Sequence, residues 1–157
     1  MKNIFFYKTE IGQIGIVESN NAITNVLFPG ENFSEDALVN ETKLLKEAYR
    51  QLQEYLAGTR KDFMLPLAPA GTKFMLHVWE ALRSIPYGET RSYKEIAQSI
   101  GNQKASRAVG IANNHNPTPI FIPCHRVITS NGKMGGYRWG LQIKEHLLKL
   151  EKQHADN

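Results

Sequence analysis

The chain has a single cysteine, Cys124, and no histidine before His77. One cysteine cannot close an intramolecular disulfide, and a free thiol suits a reducing compartment, which points to the cytoplasm. No CxxC or HxxxH pattern occurs, and Cys124 and His125 are the only clustered metal-ligand types, so no metal is expected. No apolar run approaches the roughly 18–20 residues that span a bilayer. The N-terminal Met1-Lys2-Asn3-Ile4-Phe5-Phe6 lacks a long h-region and a small-residue cleavage site. These absences predict a soluble intracellular protein with no membrane partner.

What is present reads as globular. Hydrophobic residues make up 41% of 157 and charged residues 22%, a balance unlike that of disordered chains. The net charge of +4 is unevenly spread. Residues 1–70 hold 7 Lys/Arg against 9 Asp/Glu, whereas residues 71–157 hold 12 against 6. Only the second half carries the basic character expected of a surface that meets a polyanion.

The spacing predicts an α+β protein of two domains, 1–70 and 71–157. A small N-terminal antiparallel sheet is read from Ile4–Tyr7, Ile14–Val17 and Ile23–Phe28, with turns at Gly12 and at Ser19-Asn20-Asn21. A helix over roughly 41–57 follows, with Gly58 as its terminating glycine. Pro66, Pro69 and Gly71 mark the boundary. The C-terminal domain is predicted to be mostly helical and winged-helix-like. Thr72 caps a helix carrying Phe74, Met75, Val78, Trp79 and Leu82 on one face. Ser92-Tyr93-Lys94-Glu95 has the form of a capping box for a short helix ending near Gly101. A second short helix over 104–113 completes a helix-turn-helix. A final helix covers about 141–152.

Cys124 is the first candidate for chemistry. It follows Pro123 at the end of the apolar run Ile120-Phe121-Ile122, and His125 and Arg126 adjoin it. Positive or proton-accepting neighbours lower a thiol pKa, and His125 is a candidate base. Adjacent side chains on an extended segment point to opposite faces, so direct contact requires a turn or a bridging water. On the 104–113 helix, Gln103, Arg107, Gly110 and Asn114 share one face, flanked by Lys104 and Ser106. Small residues around one arginine would allow close approach to a duplex.

Ile122-Pro123-Cys124-His125-Arg126-Val127 resembles the active-site signature of the O6-alkylguanine-DNA alkyltransferases, or methylated-DNA–protein-cysteine methyltransferases. Ala105-Ser106-Arg107-Ala108-Val109-Gly110, Asn116-Pro117, Tyr137, and Gly140-Leu141 fit the same pattern in order. Lys144 and Leu147-Leu148 through Glu151 resemble the family's closing helix, so the likeness runs over roughly residues 72–151. Residues 1–70 resemble the family's variable N-terminal domain only in size and pattern.

The resemblance implies minor-groove binding to double-stranded DNA and extrusion of the damaged base. The DNA side falls to Arg107, Lys104, Ser92, Ala105 and Gly110, with Arg107 filling the vacated stack. The resemblance makes Cys124 the nucleophile, His125 and Glu151 a relay that deprotonates it through water, and Asn116 the brace of the turn. It makes Tyr93 a donor to the guanine ring, and Tyr137, Arg138, Val127 and Trp139 the pocket. The Cys124 and Val127 carbonyls would accept from the exocyclic amine of guanine. No cofactor is implied, each molecule would act once as a monomer, and both O6-alkylguanine and O4-alkylthymine are expected substrates. Arg138-Trp139 stands where relatives carry smaller residues, so methyl adducts are expected to react faster than benzyl ones.

Three other readings compete. A non-catalytic relative would bind alkylated DNA and flag it for another pathway, but such relatives replace the cysteine. A DNA-binding regulator would leave Pro123-Cys124-His125-Arg126 unexplained. A generic thiol enzyme would not account for Arg107 or the basic second half.

Overall fold

A computed structural model describes residues 1–156. The chain folds as two compact units, Met1–Ala70 and the part from Gly71 onward.

In the first unit β1 (Lys2–Thr9), β2 (Gly12–Ser19) and β3 (Ala22–Leu27) form an antiparallel meander. Asn20 and Asn21 both take positive φ, 52° and 61°, as a two-residue hairpin turn matching the strand twist requires. The sheet is not wholly antiparallel, contrary to the sequence reading. β4 (Leu38–Val39) adds a parallel edge beside β1, giving the order β3-β2-β1-β4. Two exposed residues carry no alternating pattern, and β4 joins the sheet through its backbone pairing with β1.

Helix α1 (Lys43–Leu56) is capped by Thr42 and packs on β1 and β2 through Leu45, Ala48, Leu52 and Tyr55, all buried. Ile4, Val17 and Leu27 build a separate core with Phe33 and Ala37. Each face of the short sheet is therefore covered.

The second unit opens with α2 (Lys73–Arg83), whose Thr72 hydroxyl accepts from Met75 N–H. β5 (Arg91–Ser92) leads directly into α3 (Tyr93–Ser99), where the Ser92/Glu95 capping box forms as read from the sequence. Gly101, at φ +81°, turns the chain toward α4 (Ser106–Asn114). This is the helix-turn-helix. Helix α4 begins two residues later than the spacing suggested, because Ala105 occupies its N-cap position without a side-chain bond. Trp79 of α2 donates its indole N–H to the Ala112 carbonyl at 2.8 Å, locking α2 to α4. β6 (Val127–Ile128) pairs in parallel with β5, and α5 (Leu141–His154) closes the unit. Among the described residues no helix is long and apolar enough to cross a membrane.

Candidate active site

Between α4 and β6 the chain makes a tightly braced turn. Asn116 donates Nδ2–H to the Ile122 carbonyl at 2.8 Å, and its Oδ1 accepts from the Thr118 N–H at 3.0 Å. Ile122 N–H returns to the Thr118 carbonyl at 2.9 Å. Ile120, buried and β-branched, is held at φ +74°. Such a backbone costs about 1–3 kcal/mol and survives only where its surroundings over-determine it. Asn116 and the buried run Ile120-Phe121-Ile122 supply that constraint.

After Pro123 the chain enters one 3-10 turn, Cys124–Arg126. The turn replaces the extended segment on which neighbouring side chains would diverge. Cys124, His125 and Arg126 are all buried.

The electrostatics at sulfur reverse the sequence expectation. Burial pushes the Cys124 thiol up to about 11, against hydrogen bonds from Asn116 and Tyr137 and the charge of Lys144. His125 and Arg126 do not lower it, because both are turned toward a carboxylate. His125 Nε2 lies 2.7 Å from Glu151 Oε2. Arg126 donates Nε–H to Glu151 Oε1 at 2.8 Å and Nη2–H to Oε2 at 3.0 Å. Its Nη1–H goes to the Ile85 carbonyl at 2.6 Å. Gly88 N–H adds a fourth donor to Glu151, at 3.1 Å.

Burial opposes ionisation of Glu151, yet the His125 bond and the Arg126 charge hold its carboxyl far below the usual range. Burial also lowers the pKa of His125, against the Glu151 bond. The imidazole is therefore neutral at neutral pH. With Nε2–H committed to the carboxylate, this bonding assigns Nδ1 as the basic nitrogen. The three residues have the order of an acid-histidine-thiol relay.

Lys144, fully buried on α5, donates to the carbonyls of Val127 at 2.6 Å, Met134 at 2.5 Å and Gly136 at 3.2 Å. Burial lowers its pKa to about 8. One ammonium thus ties the rim loop, residues 129–140, to β6. Tyr137, buried at that rim, stacks edge-on with Trp139 at 5.0 Å, and Arg138 lies over the Trp139 ring at 5.3 Å.

Tyr93 sits half-buried at the start of α3. A Cβ built on Gly110 would stand 3.7 Å from its ring, and one on Gly135 would stand 3.3 Å from its hydroxyl. The glycine on the rim loop thus makes room for the Tyr93 hydroxyl, while at Gly110 a Cβ would make only an ordinary contact with the ring. Burial and proximity to Cys124 raise its pKa, so the phenol keeps its proton as a donor.

The structure brings Cys124, His125, Glu151, Asn116 and Tyr137 together, with Val127 and Tyr93 beside them. Lys104 and Arg107 are exposed on the helix-turn-helix, as a polyanion-binding surface requires. Ser92 and Ala105 are buried. The Ser92 hydroxyl caps α3, and Ala105 N–H donates to the Asn102 carbonyl while its own carbonyl accepts from Val109. Neither offers a free side chain to a ligand.

Three buried polar residues escaped the sequence reading of individual positions. The sequence marks Arg126 only as a neighbour of the thiol and Lys144 only as part of the closing helix, and nothing in it singles out Asn113. The missed signal was periodicity, since Lys144 and Glu151 fall in register with Leu147 on the buried face of α5.

Among the described residues no group of three or more His, Cys, Asp or Glu could hold a metal ion.

Residues 73–153 match the family described as 6-O-methylguanine DNA methyltransferase, DNA binding domain, and residues 5–69 match its ribonuclease-like domain. The methylated-DNA--protein-cysteine methyltransferase of Methanosarcina acetivorans is 60% identical over 116 residues, 74% of each chain. The constitutive enzyme of that name from Bacillus subtilis is 46% identical over 152 residues, 92% of each chain. Among solved structures, Mycobacterium tuberculosis OGT in complex with DNA superposes with a TM-score of 0.92 at 40% identity, covering 97% of this chain and 94% of the other. On these matches and on its site, the chain belongs to the 6-O-methylguanine DNA methyltransferase family.

Proposed function

We propose that the chain repairs alkylated DNA by moving an alkyl group, mainly methyl, from O6 of guanine to its own Cys124. The same attack on O4-alkylthymine is included. The carrying observation is the fully buried thiol that shares one 3-10 turn with a buried histidine whose Nε2 lies 2.7 Å from the Glu151 carboxylate.

Arg107 and Lys104 on the exposed side of the helix-turn-helix engage the minor groove of duplex DNA. Arg107 enters the stack as the lesion base leaves it, offsetting the stacking lost on extrusion. Support comes from the relative solved with DNA, whose fold this chain shares. Tyr93 donates to the ring as charge develops on the base.

His125 takes the thiol proton through a bridging water, and Glu151 stabilises the imidazolium that forms. The sulfur lone pair forms the S–C bond as the C–O bond breaks in line. The electrons of that bond leave with the guanine oxygen. A thioether is inert to water, so each molecule acts once. No cofactor enters the balance. A monomer suffices, and a reducing cytoplasm preserves the thiol. Arg138 and Trp139 crowd the rim, so methyl lesions should react faster than benzyl ones, and equal single-turnover rates would refute that.

The test is intact mass and peptide mapping after mixing with a duplex carrying one O6-methylguanine. A single methyl on Cys124, saturating at one per molecule and absent from Cys124→Ala, is the expected result. Lesion-specific binding with unchanged mass would instead favour a protein that flags damage for another pathway.

A further inference from the structure

The connection between α2 and β5 touches the Glu151 cluster three times. The Ile85 carbonyl accepts from Arg126 Nη1–H at 2.6 Å, and the centroid of the Tyr87 ring lies 5.7 Å from the Arg126 guanidinium carbon. Gly88 N–H donates to Glu151 Oε1 at 3.1 Å. Glu89 N–H returns to the Pro86 carbonyl at 3.1 Å, closing a four-residue turn from Pro86 to Glu89.

Gly88 is third in that turn at φ +79°, and Tyr87 before it is not left-handed. Positive φ at the third position alone defines a type II turn. Types I and II differ by a flip of the central peptide, so they aim the N–H of the third residue in opposite directions. A residue with a side chain prefers the type I form, which would turn this N–H away from Glu151. The missing Cβ matters a second time. Built at Gly88, it would stand 2.8 Å from Ala155 Cβ, at the C-cap of α5. The end of α5 that carries Glu151 reaches this turn because position 88 is bare.

We infer that Gly88 is a positioning residue for alkyl transfer, whose left-handed turn aims one backbone N–H at Glu151 Oε1 and so holds Oε2 toward His125. This rests on the proposed function, in which Glu151 stabilises the imidazolium formed as Cys124 loses its proton. Arg126 Nε–H and Gly88 N–H occupy Oε1, and Oε2 is left to His125 and the second Arg126 nitrogen. Gly88 acts through the acid, and the sequence between α2 and β5 carries no side chain of the relay.

The test removes the collision first, taking an Ala155→Gly chain as parent and placing Ala or Asn at position 88. Without the Ala155 methyl, a Cβ there meets only ordinary contacts. Asn is bulkier than Ala yet tolerates left-handed backbone far better. Single-turnover methyl transfer from a duplex carrying O6-methylguanine is measured at saturating DNA, with duplex affinity alongside. The imidazole nitrogen shifts of His125 are read without DNA, in chains labelled at histidine. Gly88→Ala should slow transfer about tenfold or more, as loss of a hydrogen bond to a charged group predicts. Its affinity should hold, and its His125 shifts should move toward a mixture of tautomers. Gly88→Asn should keep most of the parent's rate and its shifts. Equal rates and shifts in the Ala chain and the parent overturn the inference. Equal slowing by Ala and Asn also overturns it, since bulk would then decide, as does slowing with unchanged His125 shifts. A further reading leaves position 88 intact: the Gly88 amide proton should move upfield in Glu151→Gln, and a fixed shift overturns the inference even where the Ala chain does not fold. Absence of transfer to every chain, the wild type included, with the His125 shifts as expected, would sink the proposed function and leave this positioning in place.

Discussion

Two charge clusters in this molecule have similar bond lengths and opposite importance. On α1, Arg50 reaches Glu47 at 2.5 Å and Glu54 at 2.9 Å, and Arg60 reaches Glu54 at 2.8 Å. In the second unit, Glu151 holds His125 at 2.7 Å and Arg126 at 2.8 Å. Distance does not separate them. Arg50, Glu47 and Glu54 are open to water and Arg60, just beyond α1, is partly so, while the Glu151 cluster is almost wholly buried. Even a shifted pKa does not rank them, since the Arg50 bond lowers Glu47 to about 2. Water screens that pair, and exposed pairs contribute little. Buried charges must instead be fully satisfied, because removing one partner strands the other.

Four experiments would sharpen or break this contrast. The largest effect is expected from Glu151→Gln, which keeps the shape but removes the charge that orients His125. Single-turnover methyl transfer should fall by about 10²–10⁴, and a drop below tenfold would show that the carboxylate is structural only. Next comes Arg126→Met, which leaves the carboxylate short of its bidentate partner. Denaturant unfolding should show a loss of about 3–5 kcal/mol.

The third experiment concerns acid. The folded Glu151 carboxyl sits far below the ordinary value of about 4.3. Its contribution is therefore complete above that ordinary value and is lost as pH falls beneath it toward the folded pKa. Chemical denaturation at several pH values should show the wild type losing stability below about pH 4 more steeply than Glu151→Gln does. Parallel curves would contradict the assigned pKa direction. The smallest effect is expected from Arg50→Ala on α1, which should leave the melting temperature unchanged within error. A clear decrease would overturn the contrast itself.

The sequence made some of this legible, for identifiable reasons. Local signals were read correctly where a few residues decide the outcome. The Thr72 cap, the Ser92/Glu95 box and the Asn20-Asn21 turn each depend on short-range bonding. β4 was invisible because two exposed residues beside β1 have no pattern of their own. The thiol was expected to be lowered by His125 and Arg126, yet it is raised. Sequence adjacency could not reveal that the 3-10 turn aims both side chains at Glu151, 25 and 26 residues away. Glu151 would by itself read as a solvated residue near a frayed terminus. Only the family likeness set it beside His125, and only the fold shows the four donors around it.

Those four donors have a bearing on how relatives should be read. His125 Nε2, two Arg126 nitrogens and Gly88 N–H together fill the oxygen sites of one carboxylate. A descendant chain that exchanged its sulfur for an inert side chain would lose chemistry at once. It would still need Glu151, Arg126 and His125 to keep its interior satisfied. Inheritance of the histidine and the acid alone therefore reports an intact scaffold and does not establish reactivity. A working repair protein needs the sulfur atom as well.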